Sequence, residues 1–183
     1  MGGRKGIQKE IEMSKGHMTE RTQSSRENGV HKRRFLVVVD SSKELNTALH
    51  FACRRALKTN GQVALFHALE PTNFRQLAKI EELMETEARS EAEQLLQRIA
   101  ADARRQTGQM PIIYLREGNT IEQLIEVIKN EGEISVLVLG AGTGDDGPGP
   151  LVSELSNKLT GQIKLPVTIV PGNLTNEQID DLT

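Results

Sequence analysis

The 183-residue sequence predicts a single α/β domain built on a doubly wound parallel sheet. Three observations carry that prediction. Five short apolar runs alternate with four segments of helical periodicity; the runs are apolar at successive positions, as in strands buried on both faces; and no internal repeat or linker interrupts residues 34 to 171. Such alternation implies parallel strands joined by right-handed crossovers, with helices on both faces.

The first strand is "RRFLVVVD", where Phe35 to Val39 form a continuous β-branched and apolar run. A helix follows in "SSKELNTALHFACRRALKTNG". Ser41 and Glu44 have the spacing of a capping box, Leu45, Ala48, Leu49, Ala52, Cys53 and Ala56 repeat at three and four, and Asn60-Gly61 is a stop signal. "QVALFHALEP" is the second strand, ended by Pro71. From Phe74 and Leu77 to Ala103 the apolar residues keep helical spacing for about thirty residues, a length that leaves room for a bend or an early break near "EELMETEARSE".

The pattern then shortens. "MPIIYLREG" reads as a strand and "NTIEQLIEVIKNEG" as a helix with an Asn119 to Glu122 capping box. "EISVLVLG" is the fourth strand, "LVSELSNKLTG" a short helix and "KLPVTIVPG" the last strand. The closing "NLTNEQIDDLT" carries only a weak capping signal, so residues 173–183 are expected to be a tail with at most one helical turn.

Composition narrows the class. No apolar run is long enough to span a bilayer, and "MGGRKGIQKEIEMSKGH" lacks the apolar core of a secretory signal, which points to a cytoplasmic protein without membrane contact. One cysteine, Cys53, permits no internal disulfide and reads as a small buried hydrophobe. Residues 1 to 34 carry nine Lys/Arg against four Asp/Glu, whereas residues 35 to 183 carry 14 against 21. The segment 1–32 therefore reads as a disordered basic arm, and the acidic folded part, with no Trp and one Tyr, argues against nucleic acid as a partner.

In an open parallel sheet, ligands bind beyond the carboxyl ends of the strands. Asp40, Ser41 and Ser42 end the first strand, His67 to Glu70 the second, and Arg116 to Gly118 the third. A carboxylate followed by two hydroxyls can serve a ribose or an adenine amine; the serines can equally serve as caps. Asp40 directly follows five apolar residues and needs a polar partner wherever it is buried. His67 reads as a hydrogen-bonded core histidine, and no His or Cys spacing supports a metal site. No G-x-S-x-G elbow or acid, base and nucleophile set is present, so no catalytic residue is assigned.

The landmarks "RRFLVVVDSS", "LFHALEP", "REGNTIEQLIEVI", "SVLVLGAGTG" and "LPVTIVP" resemble, in order and spacing, the universal stress protein family over residues 33–172. Most similar are bacterial members whose fourth strand leads into a "GPGPLVS" loop like Gly147 to Ser153. The resemblance implies one domain of the adenine nucleotide alpha hydrolase-like kind, with strand order 3-2-1-4-5 and a homodimer formed through the fifth strand. There Val167, Ile169 and Val170 would make an apolar edge that needs covering. It further implies a non-catalytic stress-response module, with at most slow background ATP hydrolysis, that binds ATP or AMP, with or without Mg²⁺, and acts through a protein partner. Asp40 and Ala68 match the family's adenosine-side positions.

The family's phosphate motif, G-x2-G-x9-G-[S/T], is not kept. With its first glycine on Gly140, the other positions fall on Thr143, Ser153 and Glu154. Two readings of the loop "GAGTGDDGPGP" stay open. Gly142, Gly144, Gly147 and Gly149 permit close backbone approach and an anion nest, with Ser153 capping the next helix and Asp145 and Asp146 acting through a divalent cation. Alternatively, Pro148 and Pro150 stiffen a purely structural link over a pocket that no longer holds ATP. The absence of any Lys or Arg between Ser135 and Asn157 weighs against phosphate. Nucleotide-dependent ligases would show a glycine-rich loop in "VDSSKEL", and phosphoacceptor receivers further acids there; neither is found.

Overall fold

The computed structural model describes residues 32–71, 78–145, 147–158 and 162–183. The expectations for the basic arm up to His31, for Phe74 and Leu77, for Asp146 and for Thr160-Gly161 lie outside those residues. Strand β1 (Arg34–Val38) leads to helix α1 (Leu45–Lys58), then β2 (Gln62–Leu69) and α2 (Ala78–Thr107). Next come β3 (Ile112–Glu117), α3 (Thr120–Asn130), β4 (Ile134–Ala141), α4 (Pro150–Lys158), β5 (Val167–Pro171) and α5 (Asn176–Leu182).

All five strands are parallel, in the order β3-β2-β1-β4-β5. Central β1 alternates its side chains between two cores. Phe35, Val37 and Val39 meet Leu49 and Ala52 of α1 and Leu96 and Ile99 of α2, whereas Leu36 and Val38 meet Leu124 and Ile128 of α3 and Val152 of α4. Burying one such side chain is worth roughly 1.5–3 kcal/mol, so five in succession anchor the first strand in the sheet. The two faces also follow from chain direction. Right-handed crossovers running β1 to β2 to β3 put α1 and α2 on one face, and the reversed step from β3 to β4 moves α3 and α4 to the other.

The expected capping box of α1 is not formed. The helix starts later, at Leu45, with Glu44 in the cap position and no side-chain cap. Asp40 is the cause: its Oδ1 accepts the Ser42 N–H at 3.0 Å, turning the chain through an exposed Ser41-Ser42 corner. The Asn60-Gly61 stop does form, with Asn60 at φ 50° and the Gly61 N–H on the Ala56 carbonyl at 2.8 Å. Helix α2 runs unbroken from Ala78 to Thr107. Its exposed residues Glu85 to Glu91 leave the core without ending the helix, because neither Gly nor Pro interrupts a run of strong helix formers.

Two expectations at the C-terminal end are corrected. Val170 is 2% exposed and packs in the core, leaving Val167 (41%) and Ile169 (47%) as the open apolar positions of edge strand β5. Strand alternation puts Val170 on the opposite face from the other two. Residues 173–183 are not a loose tail. Thr175 and Gln178 form a complete capping box for α5, Ile179 is fully buried, and Asp180 accepts from His50 at 2.9 Å and pairs with Arg54 at 2.8 Å. Residues 32–183 thus form one compact unit.

The carboxyl ends of β4 and β5 are shaped around Glu44. A Cβ on Gly140 would stand 2.7 Å from the Glu44 carbonyl oxygen, and one on Gly172 would collide with the Glu44 side chain. The clash at Gly140 is with backbone, so no side-chain rotation relieves it. Gly140→Ala should cost about 1–3 kcal/mol, a fall in Tm of several degrees, while Gly144→Ala, with open space around it, should stay within about 0.5 kcal/mol. Thermal unfolding of the two variants checks this.

Candidate ligand cleft

Strands β1 and β4 are neighbours whose onward connections leave on opposite faces, which is where an open parallel sheet forms a crevice. A cavity of about 430 Å³ opens there. Its floor is the end of β1, Val38 to Asp40, beside His67 and Ala68 of β2. Its walls are two helix starts: Asn119 to Ile121 on α3, and Pro150, Leu151 and Glu154 on α4. Asp40 and Ala68 therefore stand where the sequence pointed. Ser41, Ser42, Gly144 and Ser153 are exposed, Gly140, Gly142, Gly147 and Gly149 are half-buried, and none of these residues lines the cavity.

The polar groups of the cleft are largely committed. His67 Nδ1 lies 2.7 Å from the Val39 carbonyl, which can only accept, so Nδ1 carries the hydrogen and the ring is held as a strand-end brace. At the start of α3, Asn119 Oδ1 accepts from Ile121 and Glu122 N–H at 3.1 and 3.2 Å, and the Asn119 carbonyl accepts from Gln123. Glu70 Oε1 takes the Thr120 N–H at 3.1 Å and its hydroxyl at 2.7 Å. The first amides of α3 thus already have partners, one of them a carboxylate. The Asn119 cap forms as expected, although it is the asparagine, not Glu122, that carries it.

The glycine loop is also folded on itself. Gly142 N–H bonds to the Pro148 carbonyl at 3.3 Å and Gly147 N–H to the Gly144 carbonyl at 3.1 Å; Pro148 and Pro150 have no N–H to give. Gly147 and Gly149 adopt φ of 78° and 95°, left-handed geometry that excludes most side chains. Ser153 is no cap: it lies inside α4, and its hydroxyl donates to the Gly149 carbonyl at 2.9 Å. The helix starts at Pro150 because proline is tolerated there and Gly149 supplies the preceding turn. Gly140 is accounted for by Glu44, not by a ligand.

Glu154, at the motif position expected to bear a hydroxyl, lines the cavity. A helix start favours an anion by about 0.3–1 kcal/mol. Among the described residues no group of three or more His, Cys, Asp and Glu is placed to hold a metal ion. A second hollow, of about 520 Å³, lies under α2 at the β2 and β3 ends, where Arg89 pairs with Glu117. It is removed from the strand-order reversal, and exposed pairs of this kind contribute about 0–1 kcal/mol. Cys53 is buried, and burial first, then the Asp102 charge, pushes its thiol up to about 12, as befits a packing residue.

Asn119, Thr120, Leu151 and Pro150 were not identified as cleft residues from the sequence. The signal was available: once the chain reverses direction at β3, the starts of the next two helices must border the crevice.

Fold and cleft define a five-stranded parallel α/β domain with a crevice at its strand-order reversal. The chain matches the model of the universal stress protein family over residues 32–171, and it belongs to that family. No curated protein searched matches it. Among solved structures, the universal stress protein UspA from Lactobacillus plantarum is 15% identical, with a TM-score of 0.64 over 78% of this chain and 99% of that one. A family protein from Burkholderia pseudomallei is 18% identical, with a TM-score of 0.60 over 79% and 99%. The universal stress protein from Archaeoglobus fulgidus in complex with dAMP is 17% identical, with a TM-score of 0.56 over 77% and 99%. At these identities the likeness is one of fold, the adenine nucleotide alpha hydrolase-like sheet.

The Thr120 contacts hold the Glu70 carboxyl below the usual range, its hydroxyl contributing most. A depressed carboxyl stabilises the fold above the unfolded-state value, and that contribution is lost as pH falls through the folded value. Thr120→Val should move the Glu70 titration back up towards the ordinary carboxylate range, read from its side-chain carbon shift, and should flatten the acid limb of the stability profile.

Proposed function

We propose that the protein is a non-catalytic stress-response module that takes an adenine-containing ligand in the β1–β4 cleft and acts through a protein partner. The cavity at the strand-order reversal carries this reading, with Asp40 on its floor to accept from a ribose or amine and Ala68 leaving room beside it. The dAMP complex of the Archaeoglobus fulgidus relative supports the ligand class. ATP and AMP, with or without Mg²⁺, are the nucleotides to test, and the "GPGPLVS" loop supports a place in the bacterial subgroup that carries it. The family match and the buried, free Cys53 are consistent with the cytoplasm, and no helix among the described residues is long and apolar enough to cross a membrane. Calorimetric titration with adenosine, AMP and ATP, each with and without Mg²⁺, should detect binding of at least one, with Asp40→Ala weakening it about tenfold or more. No heat with any of them overturns the reading.

A second reading, a family member that has lost its ligand and acts only by protein contact, is favoured by the self-bonded glycine loop and by Glu154 in the cleft. A nucleotide or nucleoside carried through native purification, detected by mass spectrometry, decides against it.

Dimerisation through β5 belongs to the same proposal. Val167 and Ile169 stand open on an edge strand hydrogen-bonded on one side, and pairing across a two-fold axis would cover both. Sedimentation should give a dimer at micromolar concentration. Ile169→Lys should give a monomer with little change in Tm, and a wild-type monomer would remove the proposal.

A further inference from the structure

We infer that the outer edge of β3 is a docking surface for an acidic, extended segment of a partner protein, which adds a strand to the sheet and sets an apolar side chain between β3 and α2. The inference is independent of the cleft and of β5.

The strand order makes β3 one of the two edges of the sheet. Its outward groups follow from one bond. The Gly118 N–H reaches the Leu69 carbonyl at 2.9 Å, so Gly118 faces β2, and alternation turns Arg116, Tyr114 and Ile112 the same way. Ile113, Leu115 and Glu117 therefore direct their N–H and C=O groups outward. The edge is blunted at both ends. Pro111 has no N–H to offer, and Arg116 Nη1 donates to the Leu115 carbonyl at 3.0 Å. Between them the Ile113 N–H, the Ile113 carbonyl and the Leu115 N–H have no strand opposite them among the described residues. An edge left open at its middle is a template for another strand.

The side chains beside that opening are apolar and rimmed by positive charge. A groove of about 520 Å³ lies between β3 and α2, bordered by Met110 and Ile113 on one side and by Gln97, Ala101, Arg104 and Arg105 on the other. Met110 and Ile113 are 54% and 43% exposed. The α2 residues recur at helical spacing, so one stripe of that helix faces the groove. Arg105 also pairs with Asp102 on its own helix; Arg104 enters no ion pair among the described residues. No carboxylate borders the groove, in a folded part that carries 14 Lys/Arg against 21 Asp/Glu. Arg116 stands on the opposite face of β3 from Ile113, so an added strand meets a guanidinium on either face. A segment with an apolar residue for the groove and Asp or Glu around it matches backbone, floor and rim together.

The test is selection on the full chain from a displayed library of peptides about nine residues long, in which Val, Ile, Leu or Phe alternate with Asp, Glu, Ser, Lys or Arg. Ile113→Lys serves for counter-selection. The wild type should enrich Asp and Glu at the polar positions. The best peptide, made synthetically, should bind in the micromolar range, and about tenfold or more weakly to Ile113→Lys and to Arg104→Ser combined with Arg105→Ser. All three positions are exposed, so Tm should hold in both variants. With the peptide bound, amide exchange should slow at Ile113 and Leu115, while Tyr114 and Arg116, already bonded into the sheet, change little. No peptide enriched over Ile113→Lys, enrichment of Lys and Arg instead, or binding that leaves exchange at Ile113 and Leu115 unchanged overturns the inference. A wild-type dimer that Ile113→Lys converts to monomer also overturns it, since the occupant is then a second copy of the chain.

Discussion

The arrangement turns on a close approach of backbone to backbone, Glu44 against Gly140. Helix α1 must leave the end of β1 and immediately cover the sheet, and its cap residue sits directly over the end of β4. Only a residue without Cβ can stand beneath it. Gly172 makes the same allowance at β5, where the Thr47 hydroxyl also reaches the Gly172 carbonyl at 3.4 Å. Interiors packed at crystal-like density transmit such a constraint, so the spacing of β1, β4 and β5 at their carboxyl ends follows from it. That spacing is what sets the mouth of the cleft.

This changes the meaning of a glycine-rich segment after a strand. Of five glycines from Gly140 to Gly149, one answers to Glu44, one to the facing Gly147 carbonyl, and two to positive φ. None of these four needs an anion to explain it. The loop holds its shape through its own hydrogen bonds and through two prolines, which lower the entropy of the unfolded chain. A phosphate cradle and a self-contained turn use the same residue for different reasons, and only the direction of the N–H groups separates them.

Much of the fold was legible in the sequence because it rests on periodicity. Doubly apolar strands such as Phe35 to Val39 and the heptad-like spacing of Leu45 to Ala56 leave few alternatives. The misreadings are local contests that pattern does not decide. Ser41 and Glu44 have the spacing of a capping box, but the turn in which Asp40 accepts the Ser42 N–H comes first and the helix starts only at Leu45. Val170 reads like Val167, yet alternation sends it inward. The C-terminal helix looked weak because its stability comes from Ile179, Asp180 and their partners on α1, not from propensity. The cleft was half legible: Asp40 and Ala68 follow from strand ends, while Asn119, Thr120 and Leu151 depend on which face each helix takes.

The pairing of β1 with β4 joins Arg34 to Ile134, and the cavity walls run from Val38 to Glu154. Such a seam closes only after the loop entropy of a hundred intervening residues has been overcome, the feature that makes parallel sheets slow to fold. The cleft therefore does not exist in any partly assembled chain. A molecule bound there counts finished proteins only, and its concentration, through mass action, sets how many remain finished when heat or acid begins to open the seam.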